Sequence, residues 1–73
     1  MIGSKFTPGE RVAVWIVQDD RVREGDLGTV LEVREGINGD DFYVDVVLDT
    51  GVRMGNYHEF TFVSEEEYKR AQS

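Results

Sequence analysis

The residues able to do acid, base or nucleophilic chemistry in this chain are few and scattered. His58 is the single histidine, and there is no cysteine. The serines are Ser4, Ser64 and Ser73, at the two ends and at a helix-capping position, so no nucleophile is evidently paired with a base. Asp40-Asp41 offers oxygen ligands for a cation. Its spacing lacks the alternating Asp/Asn pattern and the closing bidentate glutamate of a calcium loop, and it reads as solvated turn acids. His58, between Tyr57 and Glu59, reads as a turn residue with a satisfied hydrogen bond rather than a ligand or a pH switch. The expectation is a protein with no catalytic residue, no metal and no cofactor.

What remains for function is apolar surface that a small core does not need. Trp15, Val17, Tyr43 and Val47 fall on outward strand faces, and Trp and Tyr are the types that most often anchor protein interfaces. Arg21 and Arg23 are candidates to pair with acids on a partner, and Met54 lies on one of two candidate sheet edges. Those edges are Val52-Arg53-Met54 and Phe60-Thr61-Phe62, along which an extended peptide would add a strand. The competing assignment is that Tyr68 and Ala71 of a terminal helix cover part of this surface as a second small core.

Length and charge limit these options. The 73 residues form one domain, residues 1–73, and a chain this short buries only about 60% of the surface its unfolded form exposes. Fifteen acidic against eight basic residues give a net charge of −7. That balance opposes association with a phosphate backbone, so nucleic acid is not expected as a direct partner. The N-terminus lacks the apolar segment of a signal peptide, and no apolar run approaches the ~20 residues of a membrane span. The expected location is the cytoplasm, with no membrane contact.

The elements that must position the candidates are short strands. Phe6-Thr7-Pro8-Gly9 reads as an opening turn. Glu10 to Gln18 follows as a strand, with Val12, Val14 and Ile16 on one face and Ala13, Trp15 and Val17 on the other. Since both faces are apolar, the Trp15 face needs cover from the C-terminal segment, a loop or a partner. Asp19 to Asp26 is a polar loop. In Glu24 to Val33 two glycines set a tight turn that feeds a strand over Leu27 to Glu35. Val30 and Val33 are three apart, which a regular strand puts on opposite faces, so the spacing predicts a bulge or two partly buried faces. Asn38-Gly39 is a strong reversal signal.

Phe42 to Asp49 alternates most cleanly, with Phe42, Val44, Val46 and Leu48 inward and Tyr43, Asp45, Val47 and Asp49 outward. Asp49-Thr50-Gly51 turns into Val52-Arg53-Met54. Gly55 to His58 reads as a short turn with a 3₁₀ element, and Phe60 to Val63 as a fifth strand. Ser64 to Ala71 carries a capping box from Ser64 to Glu67 and a staple from Val63 to Tyr68. Its acids lead and its bases follow, as the helix dipole favours. The fold expected is mainly β: five short strands curled into a small barrel over about residues 8–63, then a short C-terminal helix over about 64–72.

Three segments carry a family resemblance: Pro8-Gly9-Glu10-Arg11-Val12-Ala13-Val14, Gly25-Asp26-Leu27-Gly28-Thr29-Val30-Leu31-Glu32-Val33, and Val44-Asp45-Val46-Val47-Leu48-Asp49-Thr50-Gly51. Together they resemble the KOW-type group of SH3-like barrels over about residues 8–63. The resemblance implies a module of transcription elongation factors and ribosomal proteins that contacts RNA polymerase, ribosomal proteins or RNA. KOW modules that touch nucleic acid are usually basic, whereas the loops here carry Asp19-Asp20 and Asp40-Asp41. The implied function is therefore a non-enzymatic acidic module that binds a protein partner, RNA polymerase or a transcription factor, and regulates it, as small bacteriophage-encoded regulators of host polymerase do. The alternative is a nucleic-acid-binding KOW or translation-associated module using Arg21, Arg23, Arg34 and Arg53. A third class is a structural subunit whose apolar strand faces are permanently buried.

Overall fold

A computed structural model describes residues 5–37, 39 and 41–72. Ser4, Ser73, the Asn38 half of the Asn38-Gly39 reversal and the Asp40 half of the Asp40-Asp41 pair lie outside the described residues. The strands are β1 (Arg11–Val14), β2 (Leu27–Glu35), β3 (Phe42–Leu48), β4 (Arg53–His58) and β5 (Phe62–Ser64). A 3₁₀ turn, Glu59–Thr61, joins β4 to β5, and helix α1 (Glu65–Gln72) ends the chain. The strands form one antiparallel sheet in the order β4-β3-β2-β1-β5. The expected mainly β architecture, with five strands and a short terminal helix, is observed. β4 and β5 are its two edges, and no pairing among the described residues closes it into a barrel.

The inward residues of β3 behave as their alternation predicts. Val44, Val46 and Leu48 join Val12, Val14, Val30, Met54 and Phe62 in one core, with Phe42 also buried. Burying these aliphatic and aromatic groups is the dominant favourable contribution to folding. On the opposite face of β1, Ala13 is fully buried too, and α1 packs against β1 and β5. Arg11 ties these layers together: its guanidinium donates to Thr29 of β2 (2.9 Å), to both carboxylate oxygens of Asp49 and to Glu65 of α1 (3.2 Å).

Four local expectations are corrected. β1 stops at Val14 instead of running to Gln18. The amides of Trp15 and Ile16 both donate to the Thr61 carbonyl, at 2.8 and 3.1 Å. Successive amides of an extended strand point in opposite directions, so one acceptor can take both only where the chain bends. The bend leaves Ile16, expected inside, 43% exposed. The Asp19 to Asp26 loop supplies a core residue: the Asp19 carboxylate accepts from the Arg21 amide and the Asp26 carboxylate from the Arg23 amide. Between these two side-chain-to-backbone turns Val22 points inward and is buried. Gly55 to His58 is strand rather than turn, and the 3₁₀ element follows it at Glu59–Thr61, which shortens β5 and leaves Phe60 exposed. Met54, expected at an exposed edge, is fully buried. Asp45 faces outward as expected, and its residue is only 4% exposed.

The bulge predicted from Val30 and Val33 is present. Val30 pairs with Val46 and Glu32 with Asp45, so Leu31 is the extra residue, and Val33 returns to pack against the core. A second bulge lies on the other side of β3. Val44 pairs with Tyr57 and Val46 with Met54, which sets Gly55 and Asn56 against the single Asp45. Asn56 takes a left-handed conformation, φ +60, which asparagine tolerates better than most residues. Both bulges meet at Asp45, and bulges bend and twist the strands that carry them.

Two predictions arise here. Thr61 Oγ1 is buried with no hydrogen-bond partner among the described residues, so Thr61→Val is expected to stabilise the fold by about 1 kcal/mol, seen as a higher urea midpoint. The second concerns acid. Hydrogen bonds from Arg21 lower the Asp19 carboxyl from 3.8 to about 2. Asp49 is lowered by Arg11, and Glu65 by Lys69 and then Arg11. A lowered carboxyl favours the folded state above its ordinary value, and that contribution is lost as the pH falls through the folded value. Urea midpoints should therefore drop between about pH 4 and pH 2, and drop less steeply in Asp19→Asn.

Candidate functional site

Two surfaces hold the exposed apolar groups, and they separate the residues singled out in the sequence. The first follows β1. Trp15 and Val17 are 45% and 49% exposed, with Ile16 between them. The Tyr68 ring of α1 meets Trp15 edge-on, with centroids 6.2 Å apart and planes at 78°. Tyr68 can lie there because residue 25 is glycine, where an added Cβ would come within 2.5 Å of the Tyr68 hydroxyl. The helix therefore covers part of the Trp15 surface and leaves the rest exposed. Arg21 sits on the adjoining loop, paired with Asp19 at 2.6 Å, and Arg23 is exposed.

The second surface is the outward face of β2, β3 and β4, where cross-strand pairing stacks residues in rows. Arg34, Tyr43 and His58 form one row. Thr29, Val47 and Arg53 form another. Between them lies Asp45. Its two carboxylate oxygens accept from Arg34 at 3.1 and 2.9 Å, and one also accepts from the Asn56 amide at 2.7 Å. Arg34 also reaches Glu32, at 3.2 Å. A bidentate carboxylate-guanidinium pair with an added backbone donor satisfies a buried charge that would otherwise be costly. It also fixes the face on which Tyr43 and Val47 sit.

Beside that pair is an open groove of about 470 Å³. Its floor and walls come from Arg34, Tyr43 and Asn56 and from Glu35, Ile37 and Asp41 at the β2–β3 turn. Gly36 closes this turn by donating its amide to the Asp41 carbonyl at 2.7 Å. Rings adjoin the groove through Tyr43: Tyr43 and His58 lie edge-to-face with centroids 5.4 Å apart, and the His58 and Phe60 rings are tilted by 41° at 4.7 Å. His58 Nδ1 accepts from the Phe60 amide at 3.2 Å, so Nε2 carries the proton of that tautomer and donates to Asp41, also at 3.2 Å.

The structure thus brings Tyr43 and Val47 onto one face, holds Trp15, Val17, Arg21 and Arg23 on another part of the molecule, and places Met54 inside. The groove residues Ile37, Asp41 and Asn56 were missed as a group. One signal was present: Ile37 is an isoleucine in a glycine-rich turn, and it is fully exposed. Among the described residues no group of three or more His, Cys, Asp or Glu is placed to hold a metal. No helix among them is long and apolar enough to cross a membrane. Compared with family models, with curated proteins and with solved structures, the chain matches none of them.

Proposed function

We propose that this chain is a non-catalytic SH3-like barrel that binds protein, and that its partner belongs to the transcription machinery, with RNA polymerase the first candidate. The barrel reading is supported by the strand order β4-β3-β2-β1-β5, the 3₁₀ turn before β5 and the two bulges that bend the sheet at Asp45. The observation that carries the binding reading is the run Trp15-Ile16-Val17, three consecutive apolar residues each more than two-fifths exposed on a chain of net charge −7. The transcription machinery enters through the KOW-like segments alone.

The nucleic-acid alternative is weakened by the arginines it needs. Arg21 is held by Asp19, and Arg34 by Asp45 and Glu32, so two of the four named cations already face carboxylates. Purified bacterial RNA polymerase should bind the immobilised protein at ~50 mM salt, while single-stranded RNA produces no gel shift under the same conditions. An RNA shift without polymerase binding would reverse the order of the two readings.

A further inference from the structure

We propose that the groove beside Tyr43 receives a lysine or arginine side chain from a basic segment of the protein partner. This rests on the protein-binding reading and names the site and the chemistry it selects. Glu32 and Asp45 hold the Arg34 guanidinium, and two further carboxylates, Glu35 and Asp41, line the groove with it. Arg34 gives three of its five N–H donors to Asp45 and Glu32, so its single charge is paired with two carboxylates. Glu35 and Asp41 add two carboxylates to the lining in a chain already at −7, which draws a basic segment toward it.

The groove also suits the rest of such a side chain. Tyr43 offers an aromatic ring, and the exposed Ile37 offers apolar contact for a methylene stem. A volume of about 470 Å³ accommodates one long side chain with its backbone. The molecule already makes the same contact within itself, since the Lys5 ammonium lies over the Phe6 ring at 5.1 Å and the Phe60 ring at 5.4 Å.

The test is an amide NMR titration of the folded protein with acetylated, amidated hexalysine, with hexaglutamate as the opposite charge. Hexalysine is expected to shift the amides of Ile37, Asp41, Tyr43 and Asn56, and hexaglutamate to leave them in place. Glu35→Gln with Asp41→Asn, which keeps an oxygen acceptor for His58, should weaken hexalysine binding about fivefold. Glu66→Gln with Glu67→Gln on α1 should leave it unchanged, which separates the groove from diffuse attraction to acids. Equal loss in both double variants, unchanged binding in the groove variant, or groove shifts with hexaglutamate would overturn the proposal. Polymerase binding that survives the groove variant overturns this site while leaving the protein-binding reading in place. Groove-localised hexalysine shifts without polymerase binding do the reverse.

Discussion

Arg34→Met is expected to destabilise the fold by about 3 kcal/mol, near the low end of the cost of stranding a buried charge. The Asp45 side chain is only 5% exposed, and without Arg34 its carboxylate keeps the Asn56 amide alone. Water reaches the outer side of the pair, since the Arg34 side chain is 45% exposed, and this holds the cost below the upper end of that range. The loss is large for a domain whose total stability is about 4–11 kcal/mol at typical per-residue values. Asp45→Asn, which keeps an acceptor for Asn56, should cost less, about 1–2 kcal/mol. The double replacement Arg34→Met with Asp45→Leu should cost less than the sum of its parts, because no charge is left unpaired, although the Asn56 amide still loses its acceptor. Urea midpoints of the parent, Asp45→Asn, the single variants Arg34→Met and Asp45→Leu and their double check the series, and strict additivity in the last three would mean that the pair does not act as a unit.

Phe62→Ala is expected to cost about 3–5 kcal/mol and to leave much of the population unfolded. Phe62 is fully buried and sits on β5, a strand of three residues at the edge of the sheet that pairs with β1, opposite Val14. Removing the ring opens the core where the shortest strand is held, and α1 begins at the next residue after that strand. The Trp15–Tyr68 contact should be lost together with β5, so tryptophan fluorescence and circular dichroism should report one transition. Phe60→Ala, two positions earlier and 62% exposed, provides the contrast and should stay within about 0.5 kcal/mol of the parent.

The elements that were legible in the sequence are those whose burial follows a strict local period. β3 was readable because Phe42, Val44, Val46 and Leu48 alternate with Tyr43, Asp45, Val47 and Asp49, three of which are polar or amphipathic. The β2 bulge was readable because Val30 and Val33 break the same period. Helix α1 was readable from Ser64, whose hydroxyl accepts from the Glu67 amide at 3.0 Å, and from acids that precede bases. The features that were not legible depend on distant main chain. Thr61, far along the sequence, bends the chain at the end of β1 by accepting from the two amides that follow it, those of Trp15 and Ile16. Val22 enters the core only because Asp19 and Asp26 turn the chain on either side of it.

The candidate surface divides in the same way. Trp15, Val17, Tyr43 and Val47 were legible as apolar groups in excess of the core. The groove was not, because it requires the β2–β3 turn, the Asn56 bulge and the Arg34–Asp45 pair to be in place together. Asp45 marks the difference clearly: alternation gave its direction correctly, but only pairing in register places Arg34 and the Asn56 amide on its carboxylate and takes it out of water.

Trp15→Ala separates binding from folding most directly. At 45% exposure, with one edge contact to Tyr68, its removal should cost well under the 3–5 kcal/mol of a buried tryptophan and leave the circular dichroism spectrum intact. The decisive measurement is the equilibrium affinity of purified bacterial RNA polymerase for the wild type and for this variant at ~50 mM salt. Binding to the wild type, with at least about a tenfold loss in a variant that remains folded, is the result expected of an exposed aromatic anchor. No binding to the wild type, or equal binding to both proteins, would contradict it.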